Sequence, residues 1–312
     1  MQPTDVYGHI AQNNRKIAGL VLLFPVALVA FIYIFFFLLA FLGDTPFDEA
    51  IRNVNDIFVG VIPILLGLCL ILTLLSFGFG DKMMLGFAGA KICPDNTEHL
   101  QVYRAVENLA LKAGVPTPKV YLIPDESLNA FATGYSPKSA SVALTTGIVQ
   151  KLEPIELEAV ISHEMGHIIN RDIRLNMFVI TGIGVIGMLG EILIRSSGRS
   201  RSSNKKGGIS GLFIMLGLAL LLFRYLIAPF IHMALSRSQE FQADATGAYL
   251  TRHPRSLADA LRKIAVDPRV EALDASSQMA CACICNPLKK ISGLLDTHPP
   301  IEERIKRLNE MT

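Results

Sequence analysis

His163 and His167 lie four residues apart, with Glu164 between them, in the pentapeptide His163-Glu164-Met165-Gly166-His167. The run from Pro154 to Asn170 around it predicts a helix. Pro154 suits a first turn, and Glu153, Glu156 and Glu158 crowd the end where the helix dipole favours acids. Residues four apart share a helix face, so the two imidazoles converge on one point. Two such nitrogens suit a zinc ion, and Glu164 stands beside them to take a proton from water. A core helix that carries two histidines by chance is the competing account, and the pentapeptide alone does not decide between them.

A catalytic zinc ordinarily takes a third protein ligand. Glu240 is the candidate, in a predicted helix from Ser236 to Ala248 that also carries Asp244 one turn on. Glu240 can bind the metal through its carboxylate, and Asp244 can accept the second N–H of a ligand imidazole. The alternative is a solvated acidic face on which Arg237 pairs with either carboxylate.

These residues must be positioned by a chain of 312 residues, 51% hydrophobic and only 18% charged, with a mean hydropathy of +0.42. A net charge of +2 offers no argument for nucleic acid. The apolar excess is concentrated in long runs. Ala18 to Gly43 and Ile57 to Gly80 hold no charged residue, and each is long enough to span a bilayer. Residues 1–16 read as a tail, and 17–80 as two transmembrane helices joined by the acidic stretch Asp44 to Asp56. Arg15 and Lys16 before the first span put the N-terminus in the cytoplasm. Residues 81–174 then fall on that side, and so do residues 236–312 if the intervening 175–235 returns the chain.

That intervening segment holds two apolar runs around a basic loop, 195–208, with Arg195, Arg199, Arg201, Lys205 and Lys206. Two crossings place five positive charges outside, against the positive-inside rule; an embedded hairpin keeps the loop beside anionic lipid. The run lengths favour two crossings. Glu191 near one end and Arg224 nearer the middle are not expected to be a simple pair. In the first soluble segment the pattern predicts a helix from Thr97 to Ala113, with Leu100, Tyr103, Val106, Leu109 and Ala110 as its apolar stripe. Strands follow at Lys119 to Ile123, Asn129 to Gly134 and Ser139 to Leu144. In the second, helices are predicted at Ser256 to Val266 and Pro300 to Met311.

The five cysteines, an odd number at irregular spacing, do not form a disulfide framework. Cys281, Cys283 and Cys285 alternate as strand neighbours do, which leaves a metal, redox or acylation role open beside an ordinary reduced segment. No secretory signal is expected, because the first apolar run is too long for one.

Four stretches together carry a resemblance: HEMGH at 163–167, SRSQEFQAD at 236–244, LNAFATG at 128–134 and DTHPPIEERI at 296–305. They resemble the HtpX family of integral-membrane zinc endopeptidases, distantly related to the CAAX prenyl proteases. The resemblance covers nearly the whole chain. It implies an α+β zincin-like protease domain with a small sheet, combined with about four transmembrane or membrane-embedded helices. It implies one Zn2+ per chain on His163, His167 and Glu240, with Glu164 as general base and acid and Asp244 as the partner of His163. His298, before Pro299-Pro300, is the candidate donor to the tetrahedral oxyanion. Asn129, Ala130, Phe131 and Ala132 resemble the family's substrate-side segment, where a strand edge can pair with an extended peptide; Phe131 as core and Asn129 as a turn residue is the plainer account.

The activity implied is hydrolysis of peptide bonds in misfolded or damaged membrane proteins as part of a stress response. Its setting would be a bacterial inner membrane, with the protease domain cytoplasmic and polypeptides and lipid as partners. A CAAX-type processing enzyme with a narrow substrate class is the neighbouring alternative. A non-enzymatic membrane adaptor with a structural zinc is the more distant one, and it would need four closed ligands.

Overall fold

The computed structural model describes residues 4–42, 46–93, 99–199, 207–266 and 299–311. Their order is α1 (Thr4–Leu42), α2 (Phe47–Phe87), β1 (Lys91–Ile92), α3 (Leu100–Ala113), β2 (Lys119–Ile123), β3 (Ala130–Thr133), β4 (Ser141–Thr145), α4 (Thr146–Lys151), α5 (Pro154–Ile169), α6 (Asp172–Arg199), α7 (Gly207–Thr251), α8 (Pro254–Val266) and α9 (Ile301–Asn309). Among the described residues the fold is mainly helical, with one small mixed sheet. It divides into two compact units. One is drawn from Met1–Asn13, Phe79–Thr181 and Pro229–Thr312, the other from Asn14–Gly78 and Gly182–Ala228.

Among the described residues three helices are long and apolar enough to cross a membrane: Ile17–Leu42, Phe47–Phe87 and Asp172–Ser197. A fourth apolar stretch, Gly211–Leu226 among the described residues, lies within the longer helix α7. Two boundaries also move. The stretch read as a tail is helical from Thr4, and the connection read at Asp44 to Asp56 is helical from Phe47, with Asp48 and Glu49 in its first turn. The apolar run before Leu235 and the predicted helix after it are one continuous helix, α7.

The second unit packs through aromatic and small residues. Phe24 and Phe31 each meet the Phe223 ring edge-on, with centroids 5.7 and 5.5 Å apart. A Cβ on Gly190 would lie 2.9 Å from the Gly217 carbonyl oxygen, and one on Gly217 2.8 Å from that of Gly190. The two helices therefore cross backbone to backbone there. Glu191 and Arg224 do meet: Arg224 Nη1 is 3.9 Å from Glu191 Oε1, while Arg195 Nη2 holds Oε2 at 3.1 Å. The carboxylate is shared between two arginines, so the two are not a simple pair.

In the first unit the sheet order is β1-β2-β4-β3, with β2 parallel to β4 and the other pairs antiparallel. Side chains alternate across it as a strand requires. Val120, Leu122, Ala130, Ala132, Val142 and Leu144 face one core, shared with α3, α5 and α8. Ile123, Phe131 and Ala143 face another, with Met84, Leu85, Ala88 and Met177. Both faces are covered, which is why β3 and β4 read as continuous apolar runs.

Helix α3 departs slightly from expectation. Val102 is buried where Leu100 was assigned to the stripe, and Leu100 is exposed. Thr97, where the predicted helix begins, lies outside the described residues, as do His298 and the Cys281–Cys285 cluster. The Thr145 hydroxyl fixes where β3 begins. It donates to the Ser127 carbonyl at 2.6 Å and accepts from the Asn129 N–H at 3.1 Å. Asn129 is buried at this corner.

Candidate metal centre

Helix α5 starts as its sequence dictates. Pro154 takes the first position, where no N–H is needed, and Glu156 Oε2 accepts from the Glu153 N–H at 2.8 Å in a capping box. Lys263 of α8 reaches the same oxygen at 2.7 Å and so ties α8 to the start of α5. At the other end Arg171 adopts φ 60°, a left-handed conformation that stops the helix. The chain then turns into α6, and Asp172, its first residue, comes back beneath His167.

His163 and His167 face the same way, one turn apart, with Nε2 atoms 3.2 Å from each other. Glu240 arrives from α7. Its Oε2 is 3.6 Å from His163 Nε2, and its Oε1 is 3.6 Å from His167 Nε2. All three residues are buried, and they are the one group among the described residues whose ligand atoms gather within 4.8 Å. A tetrahedral ion with bonds of about 2.0–2.1 Å separates its ligand atoms by about 3.3 Å, so these spacings fit.

The tautomers fit too. His163 Nδ1 lies 2.9 Å from Asp244 Oδ1, and His167 Nδ1 lies 3.2 Å from Asp172 Oδ2. With each Nδ1–H donated to a carboxylate, both Nε2 atoms present lone pairs to the point that Glu240 also faces. Three electron-rich atoms turned inward repel one another unless a cation sits between them. The electrostatics agree. Burial opposes a charge on His167, yet the Asp172 hydrogen bond and the fields of Glu240, Asp172 and Glu164 outweigh it and carry its pKa to about 9. Positive charge is favoured at the His167 ring.

His163, by contrast, is held below its ordinary value, first by burial and then by the Arg304 guanidinium. For Asp244 burial raises the pKa, but Arg304 and the hydrogen bond to His163 bring it below the usual range. Glu164 is pushed up to about 7, chiefly by burial and also by Glu240, while His167, Arg304 and the Ala132 N–H donated to its carboxylate pull the other way. A carboxyl poised there can both accept and return a proton near neutrality.

Helices α5 and α7 approach this closely because small residues line their crossing. A Cβ on Gly166 would lie 2.9 Å from the Ala243 Cα and carbonyl oxygen, and one on Gly247 2.9 Å from Ser162 Oγ. Gly166→Ala is therefore expected to destabilise the protein although alanine favours a helix by about 1 kcal/mol. Overpacking against backbone costs about 1–3 kcal/mol, and that cost wins. Denaturant unfolding in chelator is the check, with Gly86→Ala as control, since nothing lies within 4 Å of Gly86.

The structure thus brings together His163, Glu164, His167, Glu240 and Asp244. Of the substrate-side residues, β3 holds an edge of the sheet, but Ala130, Phe131 and Ala132 are buried and Phe131 belongs to a core cluster. One edge amide, that of Ala132, is already engaged by Glu164. Two site residues were not assigned from the sequence. Asp172 follows the α5 stop directly. Arg304, 1% exposed, sits on α9 with Nε and Nη2 at 2.8 and 2.7 Å from the two Asp244 oxygens and Nη1 at 3.0 Å from Glu240 Oε2. A signal for Arg304 existed. Ile301, Ile305 and Leu308 form the apolar stripe of α9, and Arg304 lies on that stripe.

Residues 96–312 match the model of peptidase family M48. A protease HtpX homolog from Bacteroides fragilis is 34% identical over 323 residues, covering 99% of this chain and all of the relative. One from Caldanaerobacter subterraneus subsp. tengcongensis is 37% identical over the full length of both, and one from Persephonella marina is 43% identical over 76% of this chain and 83% of the relative. The crystal structure of S. mikatae Ste24p superposes with a TM-score of 0.43 at 22% identity, covering 90% of this chain and 62% of that one. The class is therefore a metallopeptidase carried by an integral membrane protein. The chain belongs to peptidase family M48, among its HtpX members.

Proposed function

We propose that the chain is a zinc-dependent endopeptidase of the membrane, hydrolysing misfolded or damaged membrane proteins as a quality-control and stress-response enzyme. The observation that carries the metal assignment is the convergence of two Nε2 lone pairs and the Glu240 carboxylate on one buried point. His163, His167 and Glu240 would hold the zinc. When bound, the ion supplies the Lewis acidity that peptide hydrolysis needs.

The remaining steps fall to the chain. Glu164 accepts the proton of the attacking water on its carboxylate and passes it to the leaving amine. Its burial among apolar residues of α5 suits both halves of that exchange. Asp244 and Asp172 hold the two ligand imidazoles in the tautomer that leaves Nε2 for the metal. His298 remains the candidate donor to the oxyanion. Asn129 to Ala132 would bind substrate through backbone groups of the β3 edge, where substrate would displace the present Ala132 N–H contact to Glu164.

The detergent-purified chain is expected to cleave an unfolded membrane protein, to stop when the metal is stripped by a chelator, and to resume when Zn2+ is returned. A chain that binds zinc and cleaves no polypeptide under any of these conditions would sink the proposal. Broad cleavage of unrelated unfolded substrates separates quality control from a CAAX-type processing role, which predicts one narrow substrate class.

For topology, the proposed setting is a bacterial inner membrane with the N-terminus and both protease segments cytoplasmic, on the charge bias of Arg15 and Lys16. If 175–194 and 209–235 both cross, a cysteine introduced by Ser202→Cys is labelled by an impermeant thiol reagent from outside the cell. Protection of that cysteine supports an embedded hairpin instead.

A further inference from the structure

Among the described residues Arg304 is the largest side chain to be fully buried, and nothing in the hydrolytic scheme above uses it. Its surroundings define its work. Glu240 and Asp244 sit one turn apart on α7 and are both buried, so their like charges repel across a face that has little water to screen them. Arg304 reaches between them. Nε and Nη2 grip the two Asp244 oxygens at 2.8 and 2.7 Å, and Nη1 stands 3.0 Å from Glu240 Oε2. Nη2 also lies 3.4 Å from both ring nitrogens of His163. A planar guanidinium can make these contacts in one geometry, while a lysine ammonium offers a single point charge.

The guanidinium is itself held firmly. Leu308, Ile301 and Ile305 of α9 pack in the same core as Leu257, Leu261 and Ile264 of α8, so α9 delivers Arg304 from a fixed direction. We propose that Arg304 is a positioning residue for the metal centre: its forked contact keeps the Glu240 and Asp244 carboxylates both turned toward α5, one as a ligand and the other as the acceptor for His163 Nδ1–H. The metal site is then assembled from four elements, α5, the start of α6, α7 and α9. This rests on the metal assignment proposed above.

The test compares full-length wild type, Arg304→Lys and Arg304→Gln in detergent, reading zinc affinity by competition with a chromophoric chelator and apo-protein melting in excess chelator. Groups that orient metal ligands are worth about 10–100-fold in affinity, and both variants should lose that much. Lysine should not rescue, because charge without the fork leaves the two carboxylates unaligned. The loss should also shrink when Arg304→Lys is added to Asp244→Asn, since the two act through one contact. A purely structural arginine would instead lower apo melting and leave the zinc affinity of the folded protein unchanged.

Zinc affinity within twofold of wild type in either folded variant overturns the proposal and leaves the metal assignment standing. A wild-type chain that takes up no zinc overturns both. If neither variant folds, wild type decides. Zinc should slow amide exchange across residues 301–309, and exchange there that ignores zinc rejects the link between α9 and the metal.

Discussion

Glu164→Gln is expected to abolish measurable proteolysis while zinc binding stays within about threefold of wild type. General acid–base groups contribute about 10^2–10^4-fold, and here one carboxyl serves both the water and the leaving amine, so the upper part of that range is the expectation. The substitution keeps shape and volume in a position only 1% exposed, so the helix and its ligands should stand as they are. Glu164 is not among the three groups that gather at the metal point. A glutamine there still accepts the Ala132 N–H that Glu164 accepts now, but cannot take up a proton at neutral pH. Zinc content, measured on the same sample, separates this from loss of the site. A variant that holds zinc and keeps more than a tenth of wild-type turnover removes Glu164 from the role of base.

Much of this site was legible in the sequence because its parts obey the helix period. His163 and His167, and again Glu240 and Asp244, are each spaced by four, and four is one turn. The sheet was legible for a similar reason, since three short apolar runs bounded by Pro, Gly and Ser stretches have few other ways to fold. What escaped was tertiary. Asp172 stands five residues after His167, a spacing that no helix places on one face. It reaches the ring only because Arg171 turns the chain through a left-handed conformation. Arg304 lies 60 residues beyond Asp244 on another helix, and no local pattern pairs the two. Gly166 has no part in the spacing argument. Its missing Cβ is what lets α7 come close enough for Glu240 to face the histidines.

The helix ends in the apolar half escape the sequence pattern for a different reason. The absence of charge marks the middle of a membrane helix but not its termini. Thr4 to Lys16 and Phe47 to Asp56 are polar enough to read as tail and loop, yet the helices run straight through them. Once an apolar helix is nucleated, each added residue gains a backbone hydrogen bond at little further cost, so polar extensions persist.

Glu240→Ala carries the second large effect, and its size follows from how a metal divides its binding energy. Zinc sites in small domains hold the ion with about 10–16 kcal/mol spread over four ligands, so one ligand is worth about 3–4 kcal/mol, or about 10^2–10^3-fold in affinity. Two histidines remain after the substitution, and Arg304, still paired with Asp244, loses the Glu240 oxygen 3.0 Å from its Nη1, so its positive charge beside the site is less offset. That charge opposes a divalent cation and puts the loss at the upper end of the range. Glu240→Gln restores the volume and a neutral oxygen but no charge, so it should recover less than a tenth of the lost affinity. The expected order of zinc affinity is therefore wild type, then Gln, then Ala, with proteolysis falling in the same order at fixed zinc. Equal zinc affinity in all three would place the third ligand elsewhere in the chain, and the residues beyond Val266 would then be the place to look.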